Sequence, residues 1–164
     1  MKIVLFEKSY DRSKFHCEEE SLTDYIKKQV SQDIKKNLAA CFVAPNEDNQ
    51  IVGYYTLTSE SLGRDLLPEQ YQKKVPGNYN APVTLLGRLA RDISQKGTDI
   101  GEFLLIDALN RSYKISKESV GSMAVVVYPL NKYAVDFYTK YGFELLPDSG
   151  KMFIPMKVIE KLFK

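Results

Sequence analysis

Leu22, Ile26, Val30, Ile34 and Leu38 recur at every fourth position among charged and polar neighbours, and this rhythm predicts helix. Four residues turn an α-helix by about 400°, so the stripe drifts around the axis and suits either one bent helix or two short ones. Ser21 stands just before it as the predicted N-cap, delivered by a loop over residues 15–20. Ahead of that loop, residues 3–6 form a short apolar run that reads as a first strand. Residues 41–44 and the β-branched and aromatic run 51–58 bracket a polar turn at 46–50, which predicts an antiparallel hairpin. Residues 59–82 carry three prolines and no clear period, so they read as a long connection with room for one helical turn.

Further on, residues 83–92 are an apolar run broken by Gly87, and Ile100 to Ile115 presents Ile100, Phe103, Leu104, Ile106, Leu109 and Tyr113 in helical rhythm. This predicts strand, loop and helix. Residues 123–128 read as a buried strand, and residues 131–141 as a helix whose Ala134, Phe137, Tyr138 and Tyr141 share a face, with Gly142 as its stop. Two last strands, 143–146 and 151–156, flank the turn Pro147-Asp148-Ser149-Gly150. At 164 residues the chain suits one α/β (α+β) domain over its whole length, 1–164.

Composition narrows the function. A hydrophobic share of 44% and a charged share of 27% are those of a globular protein. A net charge of +2 is too small to identify a nucleic-acid binder by itself. Cys17 and Cys41 have neither metal-ligand spacing nor companions, so they read as reduced, partly buried thiols. His16 is the only histidine; it excludes any mechanism needing two imidazoles and, with the two cysteines, leaves no metal site. The apolar run at residues 3–6 is too short for a signal peptide or membrane span, which points to a cytoplasmic protein with no membrane partner.

The stretch Ser94-Gln95-Lys96-Gly97-Thr98-Asp99-Ile100-Gly101 carries the most chemistry, because two glycines sit at a helix start. Helix N-termini expose unpaired N–H groups and a partial positive charge, and glycine lets a phosphate approach closely, so the loop suits a pyrophosphate. A plain structural turn is the other reading, and no Gly-Lys-Ser or Gly-Lys-Thr follows to make a P-loop.

Several segments in order resemble the GNAT superfamily and, more narrowly, its toxin members from bacterial toxin–antitoxin pairs. They are Phe15-His16-Cys17 with Leu22-Thr23-Asp24-Tyr25-Ile26, residues 32–38, Gly53-Tyr54-Tyr55-Thr56-Leu57, and Leu86-Gly87-Arg88-Leu89-Ala90 with Asp92. The glycine loop, Phe137-Tyr138 with Tyr141-Gly142-Phe143, and the ending Phe153-Ile154-Pro155-Met156-Lys157 complete the likeness. The resemblance implies a GNAT fold, with a central mixed, mostly antiparallel sheet of about six to seven strands flanked by about four helices. It also implies acetyl-CoA as co-substrate. The family's pyrophosphate loop, Gln/Arg-x-x-Gly-x-Gly/Ala, falls on Lys96, Gly97, Thr98, Asp99, Ile100 and Gly101. Asp99 departs from it: two unit charges ~6 Å apart at an effective dielectric of ~20 to 40 repel by roughly 1.5 to 3 kcal/mol. The other reading of Asp99 is a helix-capping carboxylate aimed away from the ligand. Lys96 departs too, although it keeps a donor.

By the same resemblance, Leu89, Ala90 and Arg91 hold the pantetheine amide and thioester, Asn131 contacts the pantetheine arm, and Tyr138 protonates the departing sulfur. A phenol of pKa ~10 stays protonated at neutral pH and serves as that acid, whereas a tyrosine at helical spacing is otherwise simply core. Arg88 is a candidate for orienting substrate or supporting the acyl site. Lys27, Lys28, Lys35, Lys36, Lys73 and Lys74 are either a solvated face or an RNA-phosphate patch, and on one continuous helix Lys28 and Lys35 share nearly one side. An α-amine titrates near ~8 and lower when its carboxyl is esterified, so an aminoacyl ester already supplies some free amine at pH 7, which favours aminoacyl-tRNA as substrate. The implied function is a toxin that acetylates the α-amine of aminoacyl-tRNA and blocks translation, with a DNA-binding antitoxin as partner and a homodimer as a compatible assembly. Acetylation of a small amine or a protein amine is the alternative, and a non-catalytic acyl-CoA-binding regulatory module is a third.

Overall fold

In the computed structural model, which describes residues 2–147 and 149–163, the drifting stripe forms one bent helical run. It consists of α1 (Glu20–Asp24), a π-helical turn (Tyr25–Gln29) and α2 (Val30–Lys35). A π turn closes at i→i+5 and rotates less per residue, so it takes back part of the drift of the four-residue spacing. Ile26 and Val30 are fully buried as a result, with Leu22 and Ile34 packed at the edge of the same core, while Leu38 lies beyond the helix and is exposed. Ser21 is not the cap. Glu19 occupies that position with its carbonyl accepting the N–H groups of Leu22 and Thr23, while the Thr23 hydroxyl accepts the Cys17 N–H and fixes the entering loop.

The strands are β1 (Val4–Leu5), β2 (Ala40–Pro45), β3 (Ile51–Leu62), β4 (Ala81–Arg91), β5 (Ala124–Val127), β6 (Glu144–Leu145) and β7 (Met152–Pro155). They form a seven-stranded sheet in the order β1-β2-β3-β4-β5-β7-β6. β4 and β5 run parallel, whereas β1–β2, β2–β3, β5–β7 and β6–β7 are antiparallel, which gives the mixed, mostly antiparallel sheet. The remaining helices are the single turn α3 (Glu69–Gln72), α4 (Ile100–Glu118), α5 (Lys132–Lys140) and α6 (Met156–Leu162).

Element ends differ from the sequence reading at two places, and the connection between β3 and β4 is more ordered than its composition suggests. β3 runs to Leu62 rather than stopping at Thr58, because Ser59 to Leu62 continue an alternation of exposed and more buried positions despite their polar composition. The connection that follows is pinned rather than loose: Leu67 and Val75 are buried, and Arg64 Nε donates to the carbonyls of Gln72 and Val75. The last strand ends at Pro155, and Met156 opens α6, burying Met156 and Ile159 one turn apart. The turn residue Asp148 lies outside the described residues.

The chain divides into two compact units, Met1–Thr58 with Leu86–Ala108, and Ser59–Leu85 with Leu109–Lys164. In the first, Tyr54 is fully buried, meets Phe15 edge-on and stacks on Tyr25, while its hydroxyl donates to the Leu22 carbonyl at 2.6 Å. Gly53 beside it has a positional reason: a Cβ there would come within 2.9 Å of Leu104 Cδ1 and 3.2 Å of Ile100 Cδ1, so its absence lets the first turn of α4 settle against β3. In the second unit, Leu62, Leu67, Val75, Ala81, Val83, Ala124, Val126 and Phe153 form the core. Gly142 ends α5 at φ 101°, a conformation that favours glycine.

Candidate functional site

The first unit builds the glycine loop from the end of β4 forward. Asp92 Oδ1 accepts the His16 N–H at 2.8 Å and Oδ2 accepts the Ser94 N–H at 3.0 Å, while Ile93 N–H donates to the His16 carbonyl. Partial burial pushes the Asp92 carboxyl up, but the hydrogen bonds from Ser94 and His16 outweigh it and hold the group below the usual carboxylate range. His16 thus serves through its backbone, with its side chain on the surface. A 3-10 turn over Ile93–Gln95 follows, and Gly97 reverses the chain at φ 85°. The Thr98 hydroxyl donates to the Gln95 carbonyl at 2.6 Å, and the Asp99 carbonyl accepts the Phe103 N–H, which makes Asp99 the residue that opens α4. Its side chain is exposed, as are those of Lys96 and Thr98; Lys96 Nζ lies 4.0 Å from Glu18. Gly101 has no protein atom within 4 Å of where a Cβ would stand. Packing therefore does not demand glycine there; the first-turn N–H groups of α4 have no acceptor within the helix, although Ile100 N–H donates to the Thr98 hydroxyl at 3.4 Å.

Leu89, Ala90 and Arg91 close β4, with Ala90 buried and its neighbours half-buried. The guanidinium of Arg88 sits 3.6 Å from the centroid of the Tyr25 ring, and Tyr25 in turn donates its hydroxyl to Asp33 at 2.9 Å. Arg88 is thereby fixed in place over the bent helix. Burial pushes the Cys41 thiol up to about 12 against the opposing charge of Arg88. Both cysteines are free and buried. Lys28 forms an exposed i,i+4 pair with Asp24 at 3.6 Å, an arrangement that contributes little to stability, and Lys35 is exposed at the end of α2. Lys28 lies within the π turn and Lys35 at the end of α2, so the face shared on a continuous α-helix does not follow. Lys27 instead shares a shallow depression of about 470 Å³ with Lys8 and Arg12, two cations that helical spacing could not reveal.

The second unit holds the other two candidates. Asn131 caps α5, its Oδ1 accepting the Ala134 N–H at 2.9 Å. Tyr138 is buried between Phe137 and Phe143, with ring centroids 5.4 and 5.1 Å away, and burial alone pushes its phenol above the ordinary value. It stays protonated at every physiological pH. Sequence reading passed over a further pair in this unit, Glu60 and Tyr128, because Glu60 falls in the polar end of β3 that looks like loop. Lys73 and Lys74 also lie here, the latter over the Tyr71 ring. Among the described residues no group of three His, Cys, Asp or Glu side chains could hold a metal ion, and no helix is long and apolar enough to cross a membrane.

No protein-family model matches the chain. Over 137 residues it is 34% identical to a tRNA-acetylating toxin of Mycobacterium tuberculosis, a match that spans 84% of this chain and 80% of that one. Its structure superimposes on that of a tyrosine-to-phenylalanine mutant of KacT with a TM-score of 0.91, at 34% identity, covering 99% of this chain and 98% of the other. AtaT complexed with acetyl-methionyl-tRNAfMet matches with the same TM-score of 0.91, at 31% identity and 99% of each chain. Given this identity along most of its length and a shared fold, the chain belongs to the GNAT-type acetyltransferase toxins of toxin–antitoxin pairs.

Proposed function

We propose that this protein is an acetyl-CoA-dependent toxin that acetylates the α-amine of aminoacyl-tRNA, so that the charged tRNA no longer accepts a peptide. The observation that carries this reading is its likeness, over the whole chain, to AtaT holding acetyl-methionyl-tRNA. The first-turn N–H groups of α4 with Gly97, Thr98 and Gly101 bind the pyrophosphate, and Lys96 adds a cation. Asp99 opens the helix through its carbonyl, and its carboxylate sits toward solvent, which favours capping of the dipole over contact with the ligand. Leu89, Ala90 and Arg91 align the pantetheine amide and thioester by their backbone, and Asn131 supports the arm.

Tyr138 is the general acid. Its phenol is kept protonated by burial, so it gives its hydroxyl proton to the thiolate as the C–S bond breaks. KacT and AtaT have both been crystallised as tyrosine-to-phenylalanine mutants, and the AtaT mutant binds acetyl-CoA together with the C-terminus of its antitoxin AtaR, which supports a tyrosine that matters to turnover rather than to folding. Arg88, held on Tyr25, orients the acceptor, and Lys28, Lys35 and the depression around Lys27 contact phosphates. KacT with its antitoxin on DNA supports a DNA-binding antitoxin as partner here, and the site of action is the cytoplasm, where charged tRNA is found. The test is transfer of labelled acetyl from acetyl-CoA to bulk aminoacyl-tRNA. Label on the α-amine supports the reading; label only on simple amines or peptides would replace it with a small-amine or protein acetyltransferase, and heat of acetyl-CoA binding without any transfer would leave a binding module.

A further inference from the structure

The unit of Ser59–Leu85 and Leu109–Lys164 contains the hydrogen-bonded side-chain pair Glu60 and Tyr128. Glu60 stands on β3 between the exposed Ser59 and Ser61, half-buried on the same side of the strand as the buried Leu62. Its Oε1 accepts the hydroxyl proton of Tyr128. Its Oε2 is buried and accepts no hydrogen bond. A carboxylate oxygen withdrawn from water without a donor is costly, and native folds carry few of them.

The place fits a ligand. Tyr128 follows directly on β5, whose parallel register with β4 pairs Thr84 with Val125 and Leu85 with Val126, and ligands of open α/β sheets gather at the carboxyl ends of parallel strands. From Tyr128 the chain passes to Asn131, the cap of α5, and along that helix to Tyr138. Lys151 Nζ rests 4.8 Å from the Tyr128 ring centroid. Burial, then the hydrogen bond and charge of Glu60, push the Tyr128 phenol up to about 12, so it remains the donor that holds the carboxylate.

We propose that Glu60, held by Tyr128, binds the ammonium group of the acyl acceptor and takes its proton before transfer. This rests on the reading of the chain as an aminoacyl-tRNA acetyltransferase and names the group that meets the amine. An N–H bond of the ammonium breaks, its proton goes to Glu60 Oε2, and the freed electron pair forms the C–N bond to the thioester carbonyl carbon. The C–S bond then breaks, and its electron pair leaves on sulfur, which takes the Tyr138 hydroxyl proton. A second proton from nitrogen restores the phenol through water, and Glu60 releases its proton to solvent. One ammonium and one thioester thus become one amide, one thiol and one free proton. Tyr128 is a positioning residue.

The experiment compares wild type, Glu60→Gln and Tyr128→Phe by filter binding of aminoacyl-tRNA against deacylated tRNA, by rate of acetyl transfer, and by melting temperature and acetyl-CoA calorimetry. In Glu60→Gln, the preference for aminoacyl-tRNA disappears and transfer falls by about 100-fold or more, while acetyl-CoA and deacylated tRNA bind as before. Tyr128→Phe gives a smaller loss in the same direction. A folded Glu60→Gln protein with wild-type rate and preference would overturn the proposal; were that variant not to fold, wild-type preference in Tyr128→Phe would do the same. A wild-type protein that acetylates no aminoacyl-tRNA would instead overturn the parent reading and this proposal with it, a result distinct from an active enzyme indifferent to Glu60.

Discussion

Replacing Tyr138 by phenylalanine removes one hydroxyl and leaves the ring where it is. The contacts with Phe137 and Phe143, at 5.4 and 5.1 Å between centroids, survive the change, and so does nearly all the buried area. Burial is the cause that raises the phenol, so stability should move by less than about 1 kcal/mol. For a chain of this length that is a change of roughly 4 °C or less in melting temperature. The barrier is another matter: loss of a general acid typically slows the chemical step ~100-fold or more, which is about 2.7 kcal/mol. The assay is kcat for acetyl transfer to aminoacyl-tRNA at saturating acetyl-CoA, with acetyl-CoA affinity from calorimetry and the melting curve measured on the same preparation. The expected result is a fall in kcat alone. A kcat within about threefold of wild type would refute the acid role, and a fall matched by weaker acetyl-CoA binding would make Tyr138 a packing residue.

Gly101→Ala should separate ligand approach from packing: with no protein atom near the added methyl, stability holds or rises by up to about 1 kcal/mol in a melting curve, while calorimetry shows acetyl-CoA binding weakened by about tenfold or more. Asp92→Asn removes a carboxylate whose folded value is depressed, so its contribution is present above the unfolded value near ~3.9 and is lost as pH falls through the folded value. The variant should therefore melt lower than wild type at pH 7, by about 1 kcal/mol for exposed hydrogen bonds of this kind, with the gap closing under acid. Charge reversal at Lys28 and Lys35 should flatten the dependence of tRNA affinity on salt in filter binding, since each lost phosphate contact releases fewer counterions; an unchanged slope would move the contact to Lys8, Arg12 and Lys27.

The parts of this fold that follow simple periods were legible in the sequence. The hairpin of β2 and β3, the long α4 and the capped α5 each pair a clear hydrophobic rhythm with a recognisable stop or start, as Asn131 and Gly142 show. What escaped obeys tertiary demands. Ser21 looked like a cap because it precedes the stripe, but Glu19 takes the cap and the helix begins two residues earlier, with the Thr23 hydroxyl accepting the Cys17 N–H. The π turn has no signature of its own beyond a spacing of four that an α-helix cannot keep in line. α6 starts without a side-chain cap straight after Pro155, so it read as the tail of a strand. Of the candidate residues, the glycine loop stood out by composition. Gly53 did not, because its meaning lies in Ile100 and Leu104, far along the chain, and Glu60 did not, because an orphaned oxygen exists only in three dimensions.

The burial of Cys41 makes the protein its own reporter. With its thiol pushed up to about 12, it is almost wholly protonated at pH 7, and a labelling reagent must wait for the strand to open. Cys17 is buried as well, so a cysteine engineered on the surface can be tagged without first stripping the two natural ones. Turned around, the slow modification of Cys41 in mild denaturant becomes a clock: its rate counts how often β2 is laid bare, and acetyl-CoA or a partner that steadies the first unit should slow that clock.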